Sequence, residues 1–144
     1  MTDTDTIKLL EECDSGTKMA VSAIDEIVEQ VKDPNLLRLL EESKGQHEAL
    51  GNDLHRLLIQ AGAAEKDPAP VAKGMSWIKT NMKLAMDNSD STVADLITDG
   101  CNMGIKSLQR YLNQYKGADR RSREICVDII SLEEQLCTDL RKYL

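Results

Sequence analysis

Apolar residues recur at alternating steps of three and four along most of this chain, and that spacing points to one kind of secondary structure. Leu10, Cys13, Thr17, Ala20, Ile24, Ile27 and Val31 form one such row. Leu36, Leu40, Ser43, His47, Leu50, Leu54, Leu57 and Ala61 form a second. A row with this period stays on one face of an α-helix, where it can close against rows on neighbouring helices. Two more rows run through Ile97, Cys101, Gly104, Leu108, Tyr111 and Tyr115, and through Ile125, Ile129, Leu132, Leu136, Leu140 and Tyr143. No segment alternates apolar and polar residues in twos, so no strand is predicted. Phe is absent and aromatics are 3% of the residues, so the core must be built from Leu, Ile, Val, Ala and Met. Such a core suits helix packing better than a β-sandwich.

The breaks between rows carry helix punctuation. "TDTDT" offers capping hydroxyls and carboxylates at the start, and Asp33-Pro34 supplies an N-cap followed by a proline suited to a first turn. Gly62 reads as a C-cap. "AAEKDPAP" is the clearest break in composition. After it a shorter helix is predicted from about residue 70 to 86, with Val71, Met75, Ile78, Met82 and Ala85 on one stripe. "DNSDST" caps a fourth helix that stops at Gly117, and Asp119 caps a fifth. The expectation is a single all-α domain over residues 1–144, a four-helix bundle of two helical hairpins at about 4–62 and 91–144. The crossover helix, about 70–86, should run along the outside. A long helix of about 26 residues spans ~39 Å and the short one ~25 Å, enough to return the chain most of the way along the bundle.

The two hairpins repeat each other. "CDSGTKMA" from Cys13 and "CNMGIKSL" from Cys101 lie 88 positions apart, and "GNDLHRLL" at 51–58 matches "CTDLRKYL" at 137–144 with an offset of 86. A pseudo-twofold relation between the halves follows. It places Gly16 and Gly104 at equivalent mid-helix positions, where glycine costs roughly 1 kcal/mol against alanine. The expected reason is close backbone approach where the first helix crosses the fourth.

Two hairpins, internal symmetry and a helical crossover resemble the ferritin-like superfamily. "LEESKGQHEALGNDLHRLLIQAG" (40–62) and "DGCNMGIKSLQRYL" (99–112) resemble small bacterial ferritin-like proteins of unknown function, some of them linked to stress responses. The resemblance implies a ferritin-like bundle. In di-iron members, a Glu on each of two helices joins Glu-x-x-His on each of the other two. That set is not intact here. Lys44 stands three residues before His47, Asn52 three before His55, and Leu136 three after Glu133. Both histidines of the chain lie on the second helix. Glu134-x-x-Cys137 keeps the spacing with a thiol, beside the apolar row.

What remains is a set of polar residues on inward positions: Cys13, Thr17, Ser43, His47, Cys101 and Glu133. His47 and Glu133 are counterparts under the 86-residue offset. His47, Glu133, Cys13 and Cys101 are weak candidates for one soft ion such as Zn, or for Fe or Mn. A hydrogen-bonded core histidine beside small thiols is the favoured reading, because Cys13 and Cys101 lack the local pair spacing of a structural zinc site. His47 does not suit phosphotransfer, since "KG" precedes it and it faces inward. The expectation is therefore a non-catalytic bundle without a cofactor, acting through protein contacts as a homodimer or larger homo-oligomer. A metal-binding oxidoreductase or metal-storage protein is the alternative.

Charge and cysteines bound the setting. Net charge is −7, from 18 basic and 25 acidic residues, which argues against nucleic acid as a main partner. No apolar run is long enough to span a membrane, and no secretory leader is seen. Four cysteines without secretory context read as thiols of a reducing cytoplasm. Gly74, Trp77 and Leu84 fall off the crossover stripe and are expected under a neighbouring loop or against a partner.

Overall fold

The computed structural model describes residues 4–63 and 77–144. These are all-helical: α1 (Thr4–Ile27), α2 (Pro34–Gln60), α3 (Trp77–Ala85), α4 (Asp90–Gln114) and α5 (Arg120–Leu140), with single 3-10 turns after α1 and α5. No strand occurs among the described residues. The punctuation behaves as its chemistry dictates. Asp33 accepts hydrogen bonds from the N–H groups of Asn35 and Leu36 while Pro34 opens α2. Ser89 caps α4 through Thr92 N–H, and Asp119 caps α5 through Ser122 N–H. At the end of α2, Gly62 takes φ +75°. There Ala63 N–H returns to the Leu58 carbonyl and Gly62 N–H to that of Ile59, which is a Schellman closure.

Three side chains tie the ends of the molecule in two clasps. Asp90, in the first turn of α4, accepts from the N–H groups of Lys32 (2.8 Å) and Asp33 (2.9 Å) in the α1–α2 turn. Asp5, in the first turn of α1, accepts from Gly117 N–H at 2.9 Å, and Thr6 Oγ1 accepts from Asp119 N–H at 2.8 Å. The two ties are reciprocal: the start of each half clasps the turn of the other. α2 and α4 therefore begin at one end, and α1 and α5 at the other. The clasp also explains why α4 stops at Gln114 rather than at Gly117. Tyr115 and Lys116 form the turn that leads to Gly117, whose N–H meets Asp5.

α1 packs against α2 and α4, α5 against α2 and α4, and α1 also touches α5 across the diagonal. α3 lies chiefly against α1 and α4, with Ile78 and Met82 buried in the core. Ala85, expected on the inward stripe, is exposed, because α3 ends there. Leu84 is exposed too, while Trp77 packs half-buried against the core. Val71, Gly74 and Met75 lie outside the described residues.

The core has two apolar clusters. One gathers Ile24, Ile27, Leu36, Leu40, Val93 and Leu140; the other gathers Leu9, Leu10, Leu54, Leu58, Leu112 and Ile125. Every inward row of the long helices is buried or half-buried as its spacing requires, but the rows are wider than expected. Leu58 is fully buried where Leu57 is only half-buried, and Val93, Leu112, Cys126 and Ile130 join the core.

Candidate functional site

Buried polar side chains lie among these core residues. Thr17, Ser43, His47 and Glu133 are all at least nine-tenths buried, as are Cys13 and Cys101. Thr17 satisfies its hydroxyl on the Asp14 carbonyl at 2.9 Å, as inward threonines in helices do. Asp14, also buried, is ion-paired with Lys18 at 3.0 Å.

His47 and Glu133 are different. His47 Nδ1 lies 2.8 Å from the Ser43 carbonyl oxygen. A carbonyl can only accept, so Nδ1 carries the hydrogen and donates it. The ring is thereby oriented with Nε2 toward Glu133, 3.6 Å from Oε1. That is longer than a hydrogen bond. Among the described residues Nε2 has no hydrogen-bond partner, and neither has Glu133 Oε2. The offset of 86 residues thus brings two counterparts face to face. Both residues line the same cavity.

That cavity has about 580 Å³ and lies between α1 and α4. Gly16, Ala20 and Ala23 of α1 and Gly100 of α4 form its walls, and Trp77 bounds it on the α3 side. Met19 and Met103 stand on its rim, 38% and 49% exposed. Among its described lining residues the charged types are Glu12, Glu133 and His47; Lys and Arg are not represented.

The glycines have another explanation than the one expected. A Cβ on Gly104 would lie 2.3 Å from Glu133 Oε2 and 3.0 Å from its Cδ, so this glycine makes room for the buried carboxylate of α5. A Cβ on Gly16 would meet only the Leu108 side chain, at an ordinary 3.9 Å. The pair therefore does not mark a tight backbone crossing of α1 and α4. These helices pack together but leave the cavity between their small residues.

The four candidate ligands do not gather at one point. Cys13 hydrogen-bonds Cys126, and this contact together with burial pushes its thiol pKa well up. Cys101 is raised by burial first and by the nearby Glu133 carboxylate second, and it contacts Cys137. Burial also raises Cys137. Of the four, His47 and Glu133 come together, with Cys101 near the carboxylate and Cys13 engaged elsewhere. Among the described residues no three His, Cys, Asp or Glu side chains are grouped so as to hold an ion. His47 and Glu133 alone offer two donors, which does not fit the ligand set of a di-iron centre.

Sequence reasoning missed Cys126 and the cavity. Cys126, Ile130, Glu133 and Cys137 follow one another at steps of four, three and four, a second inward row on α5 hidden beside the Ile129–Leu136 row. It would have marked Glu133 as firmly inward. Gly100 and Gly104 form a Gly-x-x-x-Gly stripe that lines the cavity together with Gly16 and Ala20. Such a stripe ordinarily means contact rather than space. No helix among the described residues is long and apolar enough to cross a membrane. The chain matches no protein-family model, no curated protein and no solved structure.

Proposed function

We propose that this protein is a ferritin-like helical bundle that captures a small, largely apolar ligand between α1 and α4 and does not transform it. The observation that carries the reading is the cavity of about 580 Å³ whose apolar walls end on two unpartnered polar atoms. Binding pockets for small molecules have this size and character, mostly apolar with a few convergent polar groups. The ferritin-like part is supported by the reciprocal clasps at Asp5 and Asp90, which make α2 parallel to α4 and α1 parallel to α5. A bundle with one long crossover requires that order.

Trp77 is the chain's single tryptophan and lines the cavity, so it reports occupancy. Titration with the neutral dye Nile red should quench Trp77 emission with saturation at one dye per chain. Ala20→Leu, which fills the cavity from the α1 wall, should abolish the effect while the protein stays helical. Quenching without saturation, or unchanged in Ala20→Leu, would sink the reading.

A second reading takes one Zn, Fe or Mn ion at the same floor, in a metal-binding or metal-storage protein with an altered ligand set. It is favoured by the orientation of His47. An Nδ1–H held by a carbonyl, with Nε2 left open beside a carboxylate, is how ligating histidines are commonly fixed. Metal analysis of untagged protein tests it: about one ion per chain supports it, and none discards it.

A further inference from the structure

We infer that the ligand of the α1–α4 cavity carries a protonated amine, and that this head group sits between His47 and Glu133 while its apolar body lies along the small-residue walls. The inference rests on the capture reading above and specifies what is captured.

The floor asks for a hydrogen-bond donor. His47 Nδ1 is spent on the Ser43 carbonyl at 2.8 Å, so in the neutral ring Nε2 can only accept. Glu133 Oε2 accepts and has no partner among the described residues. The carboxylate and the ring nitrogen are 3.6 Å apart and do not bond each other directly. A group placed against both must therefore bring at least two hydrogens. A primary ammonium brings three and a water two; a hydroxyl brings one and a carboxylate none, and of these the ammonium alone also brings charge.

Charge points the same way. Glu133 is 6% exposed, and neither Lys nor Arg occurs among the described residues lining the cavity. Asp14, the other deeply buried acid, has Lys18 at 3.0 Å. Among the described residues, Glu133 has only the His47 ring within ion-pair distance. A buried carboxylate without a cation is costly, and charge-assisted hydrogen bonds are the strong ones. A cationic head supplies what the described lining residues lack. An anionic head would add to the Glu12 and Glu133 charges already lining the cavity.

Gly104 shows that the position is built. Oε2 occupies the space that any Cβ at this position would take, 2.3 Å from where the Cβ would stand. The glycine thus admits the carboxylate to the cavity floor. The walls above it are Ala20, Ala23 and Gly100, which leave width for an alkyl or alicyclic body.

The test compares three probes of equal chain length at pH 7: n-octylamine, n-octanol and n-octanoate, by calorimetry and Trp77 emission. Octylamine should bind at least about tenfold more tightly than the other two, the usual scale of a charge-assisted hydrogen bond. Glu133→Gln should remove that advantage. Gly104→Ala, which drives Glu133 from its position, should do the same and guards against a fold-specific failure of Glu133→Gln. The 15N resonance of His47 Nε2 should shift with octylamine and not with octanoate. If octylamine and octanol bind equally, the head-group inference falls while the cavity stands. If none of the three binds, and Nile red does not either, the capture reading falls with it. If Zn²⁺ or Mn²⁺ alone raises the melting temperature and octylamine holds no advantage, the floor is a metal site and the inference is overturned.

Discussion

Glu133 and Gly104 illustrate how one buried residue determines another. The carboxylate fills the place of a missing Cβ, so alanine at 104 cannot enter without moving it. Gly104→Ala should destabilise the protein by about 1–3 kcal/mol through overpacking. In a Glu133→Ala background the clash is gone, and the same change should stabilise by about 1 kcal/mol, because alanine is the better helix former. Thermal melts of the four proteins check this sign reversal; additive effects would show that Glu133 does not occupy the gap. Gly16 makes the contrast. Its Cβ would stand in ordinary contact with Leu108, so Gly16→Ala should be neutral or stabilising by up to about 1 kcal/mol. Repeat matching set both glycines side by side and assigned one cause to them. The difference lies in the partner on a third helix, which a two-helix argument does not contain.

The thiols add a pH dependence at the same scale. Burial raises Cys101 above the ordinary thiol value of about 8.5. The folded protein keeps this proton after the unfolded chain has lost it. The stabilisation is complete below the unfolded value and is lost as pH rises past it, by about 1.4 kcal/mol per pH unit for one such thiol. Stability should therefore fall between about pH 9 and 11, and Cys101→Ala should make the fall shallower. An identical pH profile in that variant would show that the thiol is not held in its protonated form.

At the scale of elements, the capping residues and row spacings were legible, since they depend on near neighbours in sequence. Asp33, Ser89 and Asp119 cap where their positions before apolar rows indicate. The long-range use of Asp5 and Asp90 was not legible: "TDTDT" and "DNSDST" read only as local caps. Asp90→Ala should cost about 1–2 kcal/mol, since two backbone N–H groups of the α1–α2 turn lose their acceptor. Asp5→Ala should cost less, because it receives one such bond in this clasp. Urea unfolding at pH 7 ranks the two; equal or negligible costs would remove the clasps from the account. Where α4 stops follows from the same cause. Gly117 marks a turn in sequence, but the tie to Asp5 spans that turn and ends the helix at Gln114.

For the whole molecule, the apolar rows give the all-helical class, and the repeat gives the correspondence of His47 with Glu133. The cavity between α1 and α4 lay beyond that reading. Small residues on two facing helices usually let backbones close together, and here they leave about 580 Å³ instead. α3 lies against both helices, with Ile78 and Met82 buried in the core, and α1 also leans on α5 across the diagonal. Neither contact can be derived from pairwise spacing. The account as a whole stands on this space, with Glu133 and His47 at its floor. A diffraction experiment on xenon-pressurised crystals tests it most directly, because xenon enters apolar cavities of this kind. Xenon density between Ala20, Ala23 and Gly100, above the Glu133 carboxylate, is the predicted result. Helices α1 and α4 closed against each other with no xenon between them would contradict it.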